Sequence, residues 1–202
     1  MNMKKMLIVL CGGALVVAGT VVYRTKTMTA LSGALSRQIL QIESAYDSIV
    51  TDKVESVVSA FDSLPVNDEG FTVQMTEKQR TGLAQIRTAY ARLSKDTEDD
   101  LQKLNGIHRL QLSMHEFVSS FPPGHPIRED KSFIELSRAI GERGEVRKLL
   151  QAYNTNAKLW NNRMQGQLGS ITASVGDLDS TLYPYLRFDG KTEKNQVISL
   201  GK

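Results

Sequence analysis

Residues 31–64 read LSGALSRQILQIESAYDSIVTDKVESVVSAFDSL, and the spacing of their apolar side chains decides the fold class. Leu31, Leu35, Ile39, Ile42, Tyr46 and Ile49 follow one another at steps of three and four, and Val54, Val57, Phe61 and Leu64 resume the pattern after a phase shift of one residue. Steps of that size gather side chains on one face of an α-helix. Arg37, Gln41, Glu43, Asp47, Asp52 and Glu55 fall largely off that face. The reading is one long amphipathic helix, ended by Pro65 and the turn-forming run Asn67-Asp68-Glu69-Gly70. Phe71 to Met75 alternates weakly, as a short extended piece or loop would.

Working outward toward the C-terminus, Thr76-Glu77-Lys78-Gln79 has the form of a capping box, in which Thr76 accepts a backbone donor and Gln79 reaches back. A second stripe follows: Leu83, Ile86, Tyr90, Leu93, Leu101, Leu104, His108, Leu112 and Phe117, with a polar, acidic middle from Ser94 to Asp100. Phe121-Pro122-Pro123-Gly124-His125-Pro126 is the strongest breaker in the chain. Helical spacing resumes at about Arg128 through Phe133, Leu136, Ile140, Val146, Leu150, Tyr153, Leu159, Trp160, Met164 and Leu168, softened at Gly141 and Gly144. Leu178, Leu182, Tyr183 and Tyr185 begin a tail whose end, Lys191 to Lys202, is polar.

Proline falls only at positions 65, 122, 123, 126 and 184, which leaves residues 66–121 and 127–183 as long proline-free stretches bounded by prolines, of the kind that long helices leave. Three long helices with stripes to bury imply an all-α fold: an elongated antiparallel bundle of three to four helices. Stripes of this kind are also the seam of a coiled coil. A helix of forty residues is about 60 Å long, so the expected body is a rod.

Toward the N-terminus, Met6 to Tyr23 reads MLIVLCGGALVVAGTVVY without a charge, flanked by Lys4 and Lys5 before it and Arg24 and Lys26 after. About 20 apolar residues cross a bilayer core, and 18 suffice when flanking lysines snorkel and an aromatic sits at the interface. The organisation expected is a transmembrane anchor with its flanks at 1–26, a helical bundle at 27–190 and a polar tail at 191–202. Val16-Val17-Ala18 has the small-residue pattern of a signal-peptide cleavage site, which makes a secreted soluble protein the competing reading. The lysines beside the amino terminus favour an inside N-terminus and an extracytoplasmic body.

The net charge of +3 is the balance of 25 basic and 22 acidic residues, well mixed along the chain, and no basic patch interleaved with aromatics marks a nucleic-acid surface. The one cysteine, Cys11, lies inside the apolar run, so no internal disulfide forms. Of the three histidines, His108 and His115 share a helical face at a spacing of seven, with Glu116 beside the second. Metal ligands on one helix come three or four apart, so this pattern reads as a polar edge. The acidic run Asp96-Thr97-Glu98-Asp99-Asp100 lacks the glycine and spaced oxygens of a calcium loop, and Gly166-Gln167-Leu168-Gly169 is too sparse for a phosphate loop. With no nucleophile elbow, Walker loop or dinucleotide fingerprint either, the expectation is a non-enzyme without catalytic residues, metal or cofactor.

Phe117 to Asn161 resembles the LemA family, in Phe121-Pro122, Phe133-Ile134-Glu135-Leu136, Glu142 or Glu145, and Tyr153-Asn154 followed seven residues later by Trp160-Asn161. The family's first helix usually carries an Arg-Arg pair and a proline, absent from the corresponding KVESVVSAF at Lys53 to Phe61, so the resemblance is to a divergent member. It implies a short N-terminal anchor on a long helical hairpin-like body, and no general biochemical activity. Seven residues is two helical turns, so both aromatic–amide pairs face one way. Each aromatic is expected in the core, with its asparagine bonded to a facing helix.

Together these readings predict a single-pass, membrane-anchored scaffold or interaction protein of the bacterial envelope. Its partners are the lipid bilayer and other envelope or membrane proteins, and self-association into a homo-oligomer fits the same surface. A helical ligand-binding or sensor module is the alternative.

Overall fold

In the computed structural model the described residues are 3–62, 64, 74–94, 99–141, 144, 146–166 and 168–186, with side chains described from Leu15 onward. All regular structure among them is helical: α1 (Met3–Ser48), a π-helical segment (Ile49–Val54), α2 (Glu55–Asp62), α3 (Glu77–Leu93), α4 (Asp100–Ser119), a 3-10 turn (Pro126–Glu129), α5 (Lys131–Ile140), α6 (Arg147–Met164) and α7 (Gly169–Gly176). The all-α expectation holds. The chain divides into two compact units, one of Met1–Ser36 with Thr155–Tyr183, the other of Arg37–Asn154 with Pro184–Lys202.

The phase shift in the first stripe has a physical counterpart in the larger unit. A continued α-helix would bring Asp52 or Lys53 onto the face after Ile49. Instead the backbone widens into the π-helix, whose hydrogen bonds span five residues and take up one extra residue. The Glu55 N–H bonds the Val50 carbonyl accordingly. Ile49, Val50 and Val54 are all buried, and Asp52 stays in solvent, which avoids the cost of an unpaired buried charge.

The capping box forms as expected: the Gln79 N–H donates to Thr76 Oγ1 (3.3 Å) and the Thr76 N–H donates to Gln79 Oε1 (2.8 Å). The second stripe, however, belongs to two helices. Tyr90 O accepts from the Ser94 N–H at the end of α3, and Asp99 caps α4 by accepting from the Leu101 N–H. α3 and α4 pack on each other, and α4 buries Leu104, Ile107, Leu110, Met114 and Phe117. The expected Leu101, His108 and Leu112 lie off that face because a helix that restarts after a connection does not keep its predecessor's phase.

Contacts from the first helical stretch cross to this pair. Glu55 takes a two-oxygen contact from the Arg87 guanidinium, Asp47 accepts from the Tyr90 hydroxyl, and Lys103 Nζ lies 3.3 Å from Glu43 Oε2 without hydrogen-bond geometry. Beyond α4 the proline-rich breaker is a turn, with Gly124 at φ +85°. Phe121 sits at the centre of an aromatic cluster, its ring centroid 5.1 Å from Phe117, 5.3 Å from Phe133, 5.4 Å from His125 and 5.6 Å from Phe61. Arg128 ties the turn down, donating from Nε (2.9 Å) and Nη2 (2.6 Å) to the Phe121 carbonyl.

The third long helix is also two. α5 starts at its cap Asp130 and stops at Ile140, and α6 begins at Arg147. A Cβ on Gly144 would lie 1.9 Å from the Ala139 carbonyl oxygen, so the chain closes on itself more tightly here than a side chain permits. The glycines therefore break the helix rather than soften it.

In the smaller unit, Arg24 of α1 donates from Nη2 to the Arg163 carbonyl (2.6 Å), a cation at the negative end of α6. Gly169 makes a similar close turn, where a Cβ would lie 1.9 Å from the Met164 carbonyl oxygen, and opens α7, a helix that the apolar spacing does not announce.

Candidate functional site

The aromatic–amide pairs of α6 are both seated against the extended segment 181–186, one in each unit. In the smaller unit, Trp160 Nε1–H donates to the Thr181 carbonyl (2.9 Å) and its ring meets Tyr183 edge-on at 5.7 Å. Asn161 holds Tyr183 at two points, donating to its carbonyl (2.9 Å) and accepting from its N–H (3.0 Å). In the larger unit, the Tyr153 hydroxyl donates to the Pro184 carbonyl (2.7 Å), and Asn154 repeats the two-point hold on Leu186 (2.7 and 2.9 Å).

Each asparagine amide thus stands in for a peptide group of a neighbouring strand. The spacing fits: seven helical residues rise about 10.5 Å, and three extended residues span about 10 Å. Tyr153 and Trp160 are buried, at 0% and 1% exposure. They are core, as expected, whereas the partner of the asparagines is an extended backbone and not a facing helix. Glu142 and Glu145, the acidic positions of the LemA-like pattern, lie outside the described residues.

His125 and His108 are both partly buried. His125 accepts the Ile127 N–H at Nδ1 (3.2 Å), capping the 3-10 turn, and its ring packs against Phe61 and Phe121. Burial, then the Arg128 charge, holds its imidazole below the ordinary histidine range. Burial alone does the same to His108. Among the described residues no group of three His, Cys, Asp or Glu side chains is placed to hold a metal. Within the acidic run, residues 96–98 lie outside the described residues, and Asp99 serves as a helix cap. The grooves along α3 and α4 are open surface features. One of about 280 Å³ is lined by Arg92, Lys103 and Arg109, without a nucleophile or a paired acid and base.

The most distinctive surface lies on α1. Side chains 15–20 are exposed all round the helix, including Leu15 (74%), Val16 (70%) and Val17 (59%). Burial of one face begins only with the partial covering of Val21, Arg24 and Thr25 and is complete at Met28. A helix whose apolar side chains are uncovered on every side is not serving as a core helix of this fold. Among the described residues no helix is long and apolar enough to cross a membrane. The side chains of residues 6–14, the first half of the run Met6 to Tyr23 and including Cys11, lie outside the described residues.

No protein-family model matches this chain, and neither do curated proteins or solved structures.

Proposed function

We propose that this protein is a membrane-anchored helical scaffold of the bacterial envelope: a divergent LemA-like chain with an N-terminal transmembrane helix on an elongated antiparallel bundle. Its role is interaction with other membrane or envelope proteins, with no catalytic step of its own. The observation that carries the reading is the uncovered apolar surface of α1 at residues 15–20, continuous in sequence with the uncharged stretch before it. A lipid environment would cover such a surface, which supports the reading. The capped helices and the aromatic core of the helical body support a structural role in this reading.

Alkaline carbonate extraction tests the anchor. Full-length protein is expected to stay with membranes, and a chain lacking residues 1–24 to be released as a helical body. Release of the full-length chain refutes the anchor. The alternative of cleavage after Ala18 is favoured by one observation, that among the described side chains, Leu15 onward, the first fully buried one is Met28. Removing residues 1–18 therefore takes nothing from the described core. The mass of the mature N-terminus separates the two.

A further inference from the structure

Three features of the smaller unit converge on α7. The first is its surface. Ile171 (47% exposed) and Val175 (59% exposed) stand four residues apart on one side, while Gly169, Thr172 and Ala173 are buried on the other. The sequence from Met164 to Gly176 carries no charged residue, although Arg163 and Asp177 bracket it. The exposed side of α7 is thus uncharged, with Ser170 and Ser174 beside Ile171 and Val175.

The second is its position along α1. A Cβ on Gly176 would lie 2.7 Å from Thr25 Cγ2, and Arg24 Nη2 reaches both the Arg163 carbonyl and, at 3.3 Å, the space beside Gly166. Both ends of the 163–176 segment are therefore held against α1 at residues 24 and 25. These directly follow Tyr23, where the apolar run ends.

The third is the distribution of exposed large apolar side chains. Among the described residues of the smaller unit they are Leu15, Val16, Val17, Val22, Tyr23, Leu159, Ile171 and Val175, against Leu40, Leu112 and Ile134 in the larger unit.

We infer that α7 is a second membrane contact: its Ile171–Val175 face rests in the interfacial layer of the same bilayer that holds the apolar run. The inference builds on the anchor proposed above. With Tyr23 at the edge of the hydrocarbon, Arg24 and Thr25 stand at headgroup depth, because one residue of helix rises only about 1.5 Å. The headgroup layer is about 5–8 Å thick on each side. A short uncharged helix held at that depth can set its exposed Ile171 and Val175 side chains in the interfacial layer. Lipid is the one occupant that the anchor itself brings to this level of α1. Arg24 is engaged with α6, so the segment is fixed to the anchor as one piece within this unit.

Single cysteines in the full-length chain, in a Cys11→Ser background, test this. Val16→Cys, Tyr23→Cys and Val175→Cys are each labelled with an environment-sensitive fluorophore. The protein is reconstituted in two sets of phosphatidylcholine–phosphatidylglycerol vesicles, one containing lipids with a nitroxide near the headgroup, for positions 23 and 175, and one with the nitroxide deep in the acyl chain, for position 16. Expected is quenching at position 175 within about twofold of that at position 23, the interfacial reference. Quenching at 16 and 23 without quenching at 175 overturns the inference and leaves the anchor intact. A blue-shifted but unquenched label at 175 also overturns it, since a protein surface then covers that face. Absence of quenching at 16 under deep nitroxide lipids defeats the anchor reading, and the inference falls with it.

Discussion

Asn161 and Tyr183 are joined at both backbone groups of Tyr183: the amide Nδ2 donates to its carbonyl at 2.9 Å, and its N–H donates to Oδ1 at 3.0 Å. Asn161 is 8% exposed and both bonds are part-buried, so the groups they join have reduced access to water. Asn161→Ala is expected to destabilise by about 1–3 kcal/mol, the cost of buried polar groups left unpaired. Asn161→Asp is expected to do at least as much harm, because a second carboxylate oxygen would oppose the Tyr183 carbonyl. Chemical denaturation measures both, and faster amide exchange at Tyr183 localises the effect.

Trp160 and Tyr153 are nearly or wholly buried, so truncation to alanine is expected to cost about 3–5 kcal/mol each. Tyr153→Phe keeps the ring and removes only the bond to the Pro184 carbonyl, for about 1 kcal/mol. If Trp160→Ala left the unfolding midpoint unchanged, the seam would not be the core that its burial indicates.

The π-helical segment predicts an asymmetry between losing and gaining a residue. Deleting the exposed Thr51 removes the extra residue and leaves Ile49 and Val54 four apart, an ordinary α-helical step. The deletion chain is expected to fold with unchanged helix content by circular dichroism. Inserting an alanine after Thr51 enlarges a distortion already present and is expected to lower the melting temperature by more than the deletion does. Equal damage from the two changes would contradict the phase account.

His125 gives a pH dependence of definite sign. Its folded pKa is held below the ordinary 6.5, so folding favours the neutral ring, and the Nδ1 acceptor used for Ile127 exists only in that form. Its contribution is complete above about pH 6.5 and is lost as pH falls through the lowered folded value. His108, also lowered by burial, acts in the same direction. Melting temperature is expected to fall between pH 7.5 and 5, and less steeply in His125→Asn, which keeps an acceptor that does not titrate. An identical slope in the variant would remove His125 from the account.

Periodicity made the helices legible wherever one face stays buried over several turns. Leu35, Ile39, Ile42, Tyr46 and Ile49 are core as their spacing predicts, and even the shift after Ile49 left its trace in the sequence. Helix ends were legible where side chains cap them, as at Thr76, and not where the main chain alone decides. The break at Gly144 depends on how near the Ala139 carbonyl comes, which no spacing of apolar residues encodes. The aromatics of α6 were recognisable as core. The partner of Asn154 and Asn161 was not, because an extended segment held through its backbone can have almost any sequence. Ile171 and Val175 were passed over because α7 is too short to display a period.

The seam on α6 also has an order of events built into it. Residues 181–186 leave the ribosome after every helix described above, and until they do the Trp160 indole, the Tyr153 hydroxyl and both asparagine amides have no backbone to hold. A nascent chain stopped at α7 would lack these bonds, and one carried on through Leu186 would make them. Emergence of residues 181–186 is thus registered as a change in protease resistance, and a nick within that segment would release the backbone groups that these side chains hold.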